Sequence, residues 1–386
     1  MVVSSVRDHG GRELRAGKGE SEASAPGRWR EVLSGPWLLP GHDGRLLVYA
    51  LVDRSVLRWT ESAQGGDHWL GPDILPAPDV TRLTVAQGGN RYVHLIGRQV
   101  RENGDGSLTA ELVYAIQYQA GRPMSEWRTL GNPQPSRPRS AQTGLPAAAV
   151  DAAGALHVFA PTAEGRVLLR REDAKGRWEP WLDLGVTAAL DTPAAVATTS
   201  GHVALLAPAR AGALTWCQRG PDAPMERGHD LPVLALPGSA TGLETSPGRV
   251  TWYLTDLRGG GIVAARPGEW PVPLGGDPGD GRHAALTTVL GGRPCTVLAH
   301  RDAAGRIMLG VCAAEDERNG VWWTDTGTTC LGDPVLARDS RGRVAVLAVA
   351  ADGGLILARQ ASGRELVLGD WIRIGTNRWP TPHVGV

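Results

Sequence analysis

From residue 145 onward the chain alternates short apolar runs with glycine-marked polar breaks. Leu156-His-Val-Phe-Ala160, Val203-Ala-Leu-Leu-Ala207, Val250-Thr-Trp-Tyr-Leu254 and Val344-Ala-Val-Leu-Ala348 combine β-branched, aromatic and aliphatic side chains. Runs this short between turn residues predict buried strands rather than helices. Another run precedes each, often opened by proline, as in Leu145-Pro-Ala-Ala-Ala-Val150, Thr192-Pro-Ala-Ala-Val-Ala197 and Asp333-Pro-Val-Leu-Ala337. Proline is tolerated at a strand's first residue because no ladder donor is lost there. A third run follows: Arg166-Val-Leu-Leu-Arg170, Ala213-Leu-Thr-Trp-Cys217, Arg306-Ile-Met-Leu-Gly310 and Leu355-Ile-Leu-Ala358. A fourth is marked by tryptophan with glycine soon after: Trp127 to Gly131, Trp181 to Gly185, Trp270 to Gly275, Trp323 to Gly327 and Trp371 to Gly375.

The breaks carry their own period. Gly154/Gly165, Gly201/Gly212 and Gly248/Gly259 are pairs eleven apart that stand in phase at a spacing of 47, continued by Gly342/Gly353 and the looser Gly292/Gly305. Three residues before many of these glycines stands Asp or Thr, at Asp151, Thr162, Thr198, Thr245, Asp256, Asp302 and Asp339. That pattern suits a tight turn whose last residue needs positive φ, the kind that joins antiparallel strands.

Four short antiparallel strands repeated at a period near 48 predict an all-β chain, a seven-bladed β-propeller of four-stranded antiparallel blades around a central channel. The seven sets start near Trp37, Val80, Leu145, Thr192, Thr241, His283 and Asp333. The propeller is expected over residues 28–376, with a disordered leader over 1–27 and a tail over 377–386. Counting Trp29-Arg-Glu-Val-Leu33, the fourth-strand signal occurs once more than seven sets need, so either that segment or Trp371 to Gly375 closes the ring. Met225 to Leu231 lacks the tryptophan and is the weakest outer strand.

Composition narrows the function classes. Formal net charge is zero and no basic stripe is present, which argues against nucleic acid or an anionic membrane as partner. No run approaches the roughly 18 apolar residues of a membrane span. The polar first 27 residues lack the apolar core of a secretory signal, so a cytoplasmic location is expected. Of the four cysteines, Cys217, Cys295 and Cys312 fall within strands, where a thiol usually acts as a small apolar group. Cys295 and Cys312 would face each other across a two-residue loop, but the Asp302-Ala-Ala-Gly305 turn favours a bulged one that shifts the register by one. Fourteen tryptophans against one phenylalanine fit an outer-strand tryptophan copied with the unit, wedged between neighbouring blades.

The unit Asp-x-x-Gly, apolar strand, x-x-x-Gly, strand ending in a basic or Gln residue, Trp-x-x-Leu-Gly resembles the seven-bladed propellers of the PLL-type fucose-binding lectins. Residues 146–185 show it best, ending in Gly176-Arg-Trp-Glu-Pro-Trp-Leu-Asp-Leu-Gly185, and it covers about residues 29–375. The resemblance implies sugar pockets between blades, held by aromatic faces and polar side chains. Trp178 and Trp181 form the full Trp-x-x-Trp pair only in this unit, so repeated pockets with identical residues are not expected.

No nucleophile elbow, metal-ligating motif, phosphate loop or dinucleotide fingerprint occurs, so no metal or cofactor is implied. Asn103-Gly-Asp-Gly-Ser107 lacks end carboxylates and reads as a polar hairpin tip rather than a calcium loop. Strand alternation outward from an innermost first strand places first-strand starts and the second-to-third-strand turns on one rim. That rim gathers Trp37, Thr81, Asp191, Arg282, His283 and Asp333 with Arg54, Arg98, Arg210, Asp256, His300 and Arg301. Ligand contacts are expected at Trp37, Arg98, Trp178, Trp181, Asp191 and Arg282. Asp256, His283, His300 and Asp333 are the candidates for acid/base chemistry. The second unit is lengthened over residues 98–110, so a hairpin should project on the same rim. Three functions remain compatible: a lectin-like module for a carbohydrate or other polar small molecule, a cofactor-independent cyclase or isomerase, and a scaffold for a protein partner.

Overall fold

A computed structural model describes residues 31–134, 137–190, 192–362 and 364–375. Trp29, Asp191, the leader and the tail lie outside the described residues. The described strands form seven four-stranded antiparallel sheets, each taken from one continuous stretch of chain. These blades span residues 34–76, 80–131, 147–183, 194–227, 241–275, 284–329 and 335–374, and are numbered 1 to 7 in that order. The first strands contact one another around the ring, the seventh against the first. The ring is therefore closed, with the first strands innermost.

Strand bounds follow the apolar runs closely. The run at 156–160 becomes Leu156–Pro161, the run at 203–207 becomes Val203–Ala209, and the tryptophan-free outer segment forms Met225–Arg227. Pro146, Pro193 and Pro334 each precede the first residue of an innermost strand, where the missing N–H costs no ladder bond. The fourth strand of blade 7 is Ile372–Ile374, paired with Leu355, Ile356 and Leu357 of the same blade. Among the described residues no strand is exchanged across the closure; packing closes the circle.

The packing explains why the strands read as unbroken apolar runs. In Leu46–Val52 every residue is buried. Leu46, Val48, Ala50 and Val52 enter the core shared with blade 7, whereas Leu47, Tyr49 and Leu51 enter the core shared with blade 2. The hydrophobic cores thus lie in the seams, and each blade is a wall between two of them. At roughly 1.5–3 kcal/mol for each fully buried Val, Leu or Phe side chain, the seams supply most of the driving force.

The turns are as the glycine period implies. Asp302 Oδ1 accepts the backbone N–H of Ala304 (2.9 Å) and Arg306 (2.7 Å), and Gly305 takes φ +82°. Asp339 repeats this with Arg341 and Arg343, and Thr198 Oγ1 accepts from His202 N–H. One turn departs from the pattern. After Asp256 the positive φ falls on Gly260 rather than Gly259, because that loop is one residue longer. Cys295 faces Ala313 while Thr296 faces Cys312, the one-residue shift expected of the bulged loop, and the four thiols are free. Cys217 differs from the expectation of a packed thiol, since its side chain is exposed.

Polar groups inside the seams are anchored by a recurring residue at the end of the third strand. Glu61, Glu172, Gln218 and Gln360 accept the N–H that opens their own second strand, at Leu46 (2.8 Å), Leu156 (3.0 Å), Val203 (2.9 Å) and Val344 (3.1 Å). Residues at this position also reach across a seam. Gln117 of blade 2 accepts from the Tyr49 hydroxyl of blade 1, and Glu61 accepts from Arg359 of blade 7. Glu61 is fully buried and Arg359 nearly so, which makes this ion pair the polar clasp of the closure. Replacing Arg359 by Ala leaves the Glu61 charge buried without its partner, and is expected to destabilise the protein by about 3–5 kcal/mol. A lower urea midpoint checks this; an unchanged midpoint would show that the clasp contributes nothing.

Candidate functional site

The starts of all seven innermost strands border one cavity of about 430 Å³ at the channel mouth. Most of the wall is proline and small or aliphatic side chains, with charge supplied by Arg82, Arg282 and Asp333 and an aromatic by Trp37. Trp37 lies folded back over its own chain: a Cβ added at Gly35 would stand 2.6 Å from the indole. Asp333 approaches the backbone of Gly281 so closely that a Cβ there would fall 1.9 Å from Oδ1, and its Oδ2 accepts the Arg282 backbone N–H at 2.9 Å. Enclosure raises the pKa of Asp333 above its ordinary value, opposed by that hydrogen bond and by the charges of Arg282 and Arg301.

Behind this rim sit two buried imidazoles. His283 Nε2 shares a 2.8 Å hydrogen bond with Thr255 Oγ1, leaving Nδ1 without a partner. His300 stands edge-on to it at 6.1 Å and edge-on to Trp323 at 4.8 Å, with neither ring nitrogen hydrogen-bonded to protein. Burial, and for His283 the neighbouring His300, lowers their pKa values to about 3 for His283 and about 4 for His300. Both rings are neutral at physiological pH.

The other expected residues are distributed elsewhere. Asp256 serves its own turn, accepting the Arg258 N–H at 3.2 Å. Arg98 clamps the base of the inserted hairpin to the blade 2–blade 3 connection, through Thr143 O (2.8 Å) and Ala141 O (2.7 Å). Trp178 and Trp181 occupy the blade 2–blade 3 seam, half-buried. Tyr114 abuts Trp178 at 5.2 Å and the Arg170 guanidinium lies over both indoles, so Trp178 is packed rather than presented. Trp127 and Trp323 cross their seams to donate to Pro76 O and Leu274 O, the wedge expected of outer-strand tryptophans.

The inserted hairpin projects beyond the blade 2 first strand, whose start pairs Val80 with Gln99. At its tip Asp105 is engaged by Ser107 and the Asn103 N–H closes onto Ser107 O, a polar hairpin end. A cleft of about 320 Å³ separates its base from the segment carrying Asn132 and Ser140.

A second open cleft escaped the sequence reading. In the blade 1–blade 2 seam, Arg58 donates to Asp73 Oδ2 at 2.5 and 3.1 Å and to Arg122 O at 2.7 Å. Val56, Ile74, Leu75, Pro123 and Met124 form the apolar side of this space of about 350 Å³. Arg58 is buried within it while Asp73 is 64% exposed. An arginine inside an otherwise buried strand was the available signal; finding its partner required the pairing of Arg58 with Asp73 across the outer ladder.

No protein family and no curated protein matches the chain by sequence. By structure the chain is similar to the BP39L lectin from Burkholderia pseudomallei, with a TM-score of 0.63 at 14% identity over 90% of this chain and 100% of that one. It is also similar to AofleA from Arthrobotrys oligospora, with a TM-score of 0.51 at 12% identity over 90% and 89% of the two chains. At these identities the likeness speaks to the fold alone, a β-propeller, of which the described strands of this chain form seven blades.

The buried histidines carry a pH dependence. For His94, His283 and His300 the folded pKa lies near 3 to 4, below the ordinary 6.5. The unfolded chain therefore binds more protons in that window, so their contribution is complete above pH about 6.5 and is lost as pH falls toward 4. Each histidine adds a slope of at most about 1.4 kcal/mol per pH unit. His300→Phe is expected to flatten the fall by one such share in urea titrations at pH 4 to 7; an identical slope would contradict it.

Proposed function

We propose that this protein is a lectin-like carbohydrate-binding module that performs no chemistry on its ligand. The carrying observation is the blade 1–blade 2 cleft, where an Arg58–Asp73 pair faces an apolar wall of Ile74, Leu75 and Met124. A sugar ring offers the same two surfaces, hydroxyls at its edge and C–H groups on its faces. A buried guanidinium held by one carboxylate and one carbonyl keeps N–H groups in fixed directions for hydroxyl oxygens, and the half-exposed carboxylate accepts from hydroxyl hydrogens. The likeness in fold to a protein named as a lectin supports the reading. The enzyme alternative gains no support, because Asp256 is engaged in its own turn and both imidazoles are buried.

The residues differ from seam to seam. Blade 2–blade 3 fills the equivalent region with Trp178, Trp181 and Arg170, and blade 3–blade 4 stacks Arg227 on Trp216 at 4.9 Å. The reading therefore favours one or few sugar sites over a ring of identical ones.

Labelled protein is expected to bind neutral glycans on an array, and Asp73→Ala to weaken that binding by about tenfold or more, the worth of a hydrogen bond to a charged group. Asp73 is exposed but neutralises the buried Arg58, so Asp73→Ala is expected to be less stable yet still folded by circular dichroism at assay temperature, the condition for reading its binding. Glycan binding that Asp73→Ala leaves untouched would displace the site from this seam, and an array without signal would sink the function.

A further inference from the structure

The channel mouth holds a guanidinium with no direct hydrogen-bond or ion-pair partner among the described residues. Arg282 lines the cavity, and among the described residues its guanidinium makes no hydrogen bond or ion pair; only its backbone N–H is engaged, by Asp333. Its side chain is exposed to the bore, and the neighbouring Asp333 charge favours its charged form. An exposed guanidinium on a cavity wall, with no protein partner among the described residues, keeps its fork of N–H donors available to a ligand. Arg82 brings a second guanidinium from blade 2, bonded among the described residues only to the adjacent Thr81 carbonyl. His283 borders the same cavity while 2% exposed, and its Nδ1 has no partner.

We propose that the channel mouth is a binding site for a small organic carboxylate, anchored by the unpaired guanidinium of Arg282. The ligand's carboxylate meets the planar fork of Arg282, a geometry that accepts two parallel N–H···O bonds. Arg82 adds positive potential from the other side of the bore. Asp333, held beside Arg282 by the close approach to Gly281, limits the charge the site tolerates. A monoanion is thus favoured over a phosphate dianion. The walls choose the rest of the ligand: Pro146, Pro193, Pro334 and the Trp37 indole offer apolar surface to a ring. This site is independent of the seam reading, since no residue is shared between the two cavities.

The test is calorimetric titration of the full chain with benzoate, glucuronate, methyl glucoside and inorganic phosphate, in chloride-matched buffer. Heat of binding is expected for at least one of the two carboxylates, weakened about tenfold by Arg282→Gln, less by Arg82→Gln, and unchanged by Asp73→Ala. Because Arg282 has no partner to lose, Arg282→Gln should leave the thermal midpoint equal or higher. The proposal is overturned if neither carboxylate binds, if Arg282→Gln binds as wild type, or if phosphate binds more tightly than both. A lowered midpoint in Arg282→Gln would likewise overturn it, by revealing a structural role. Loss of neutral-glycan binding in Asp73→Ala alone would speak only to the seam.

Discussion

No blade of this protein can bury its own faces. Each is a four-stranded sheet with apolar side chains on both sides, so half of Leu46–Val52 requires blade 7 and half requires blade 2. Stability is therefore shared among seams, and an open array would leave two apolar walls in water. Closure is the constraint from which the rest follows. It is met by packing between blades 1 and 7 around Trp59, Leu347 and Leu357, and by one buried ion pair, Glu61 with Arg359. The same site of closure shows why five of the seven third strands close on Glu or Gln, at Glu61, Gln117, Glu172, Gln218 and Gln360. A side chain that accepts the N–H opening the second strand keeps a backbone donor satisfied where the seam core begins, and its remaining capacity is free to take a partner from the preceding blade, as Glu61 and Gln218 do.

The binding surfaces are by-products of that arrangement. Seven first strands that begin at one mouth leave a bore there, lined largely by prolines and small or aliphatic side chains. Any charge placed on it meets protein on several sides. His283 and Asp333 acquire their properties from this enclosure, Arg282 stays exposed to the bore, and the close approach of Asp333 to Gly281 is possible only because glycine has no Cβ. At the outer end of a seam the geometry is different. There the third and fourth strands of one blade face a loop of the next, and the cleft keeps whatever the local residues leave unfilled. Arg58 and Asp73 leave an opening, whereas Trp178, Trp181 and Arg170 fill theirs.

Within the seams, the histidines mark where polar groups are tolerated. His157 finds Ala155 O and Gln218, but His94 and His300 have no protein partner at either nitrogen. Burial therefore keeps both neutral, and each adds a proton-linked cost to folding below pH 6.5. Three tryptophans follow a different rule. Trp127, Trp216 and Trp323 bury a large ring while the indole N–H donates to the outer strand of the preceding blade, at Pro76, Leu184 and Leu274. Each satisfies its one polar atom across the seam it fills.

The amino-acid sequence alone determined the number of blades, the four strands in each and the turns between them, because those depend on short-range rules: five-residue apolar runs, Asp or Thr three residues before a glycine, proline ahead of an innermost strand. It also placed Trp37, Arg282, His283 and Asp333 at one mouth, since strand alternation fixes which ends share a rim. The tertiary structure decided what those residues do. That Arg98 is spent on carbonyls, Trp178 on packing and Asp256 on its own turn, while Arg282 is left unpaired and Arg58 opens a cleft with Asp73, depends on contacts between units distant along the chain. Repetition makes such contacts hard to read in advance: every unit carries the same local signals, and only the assembled ring shows which side chain meets which neighbour across a seam.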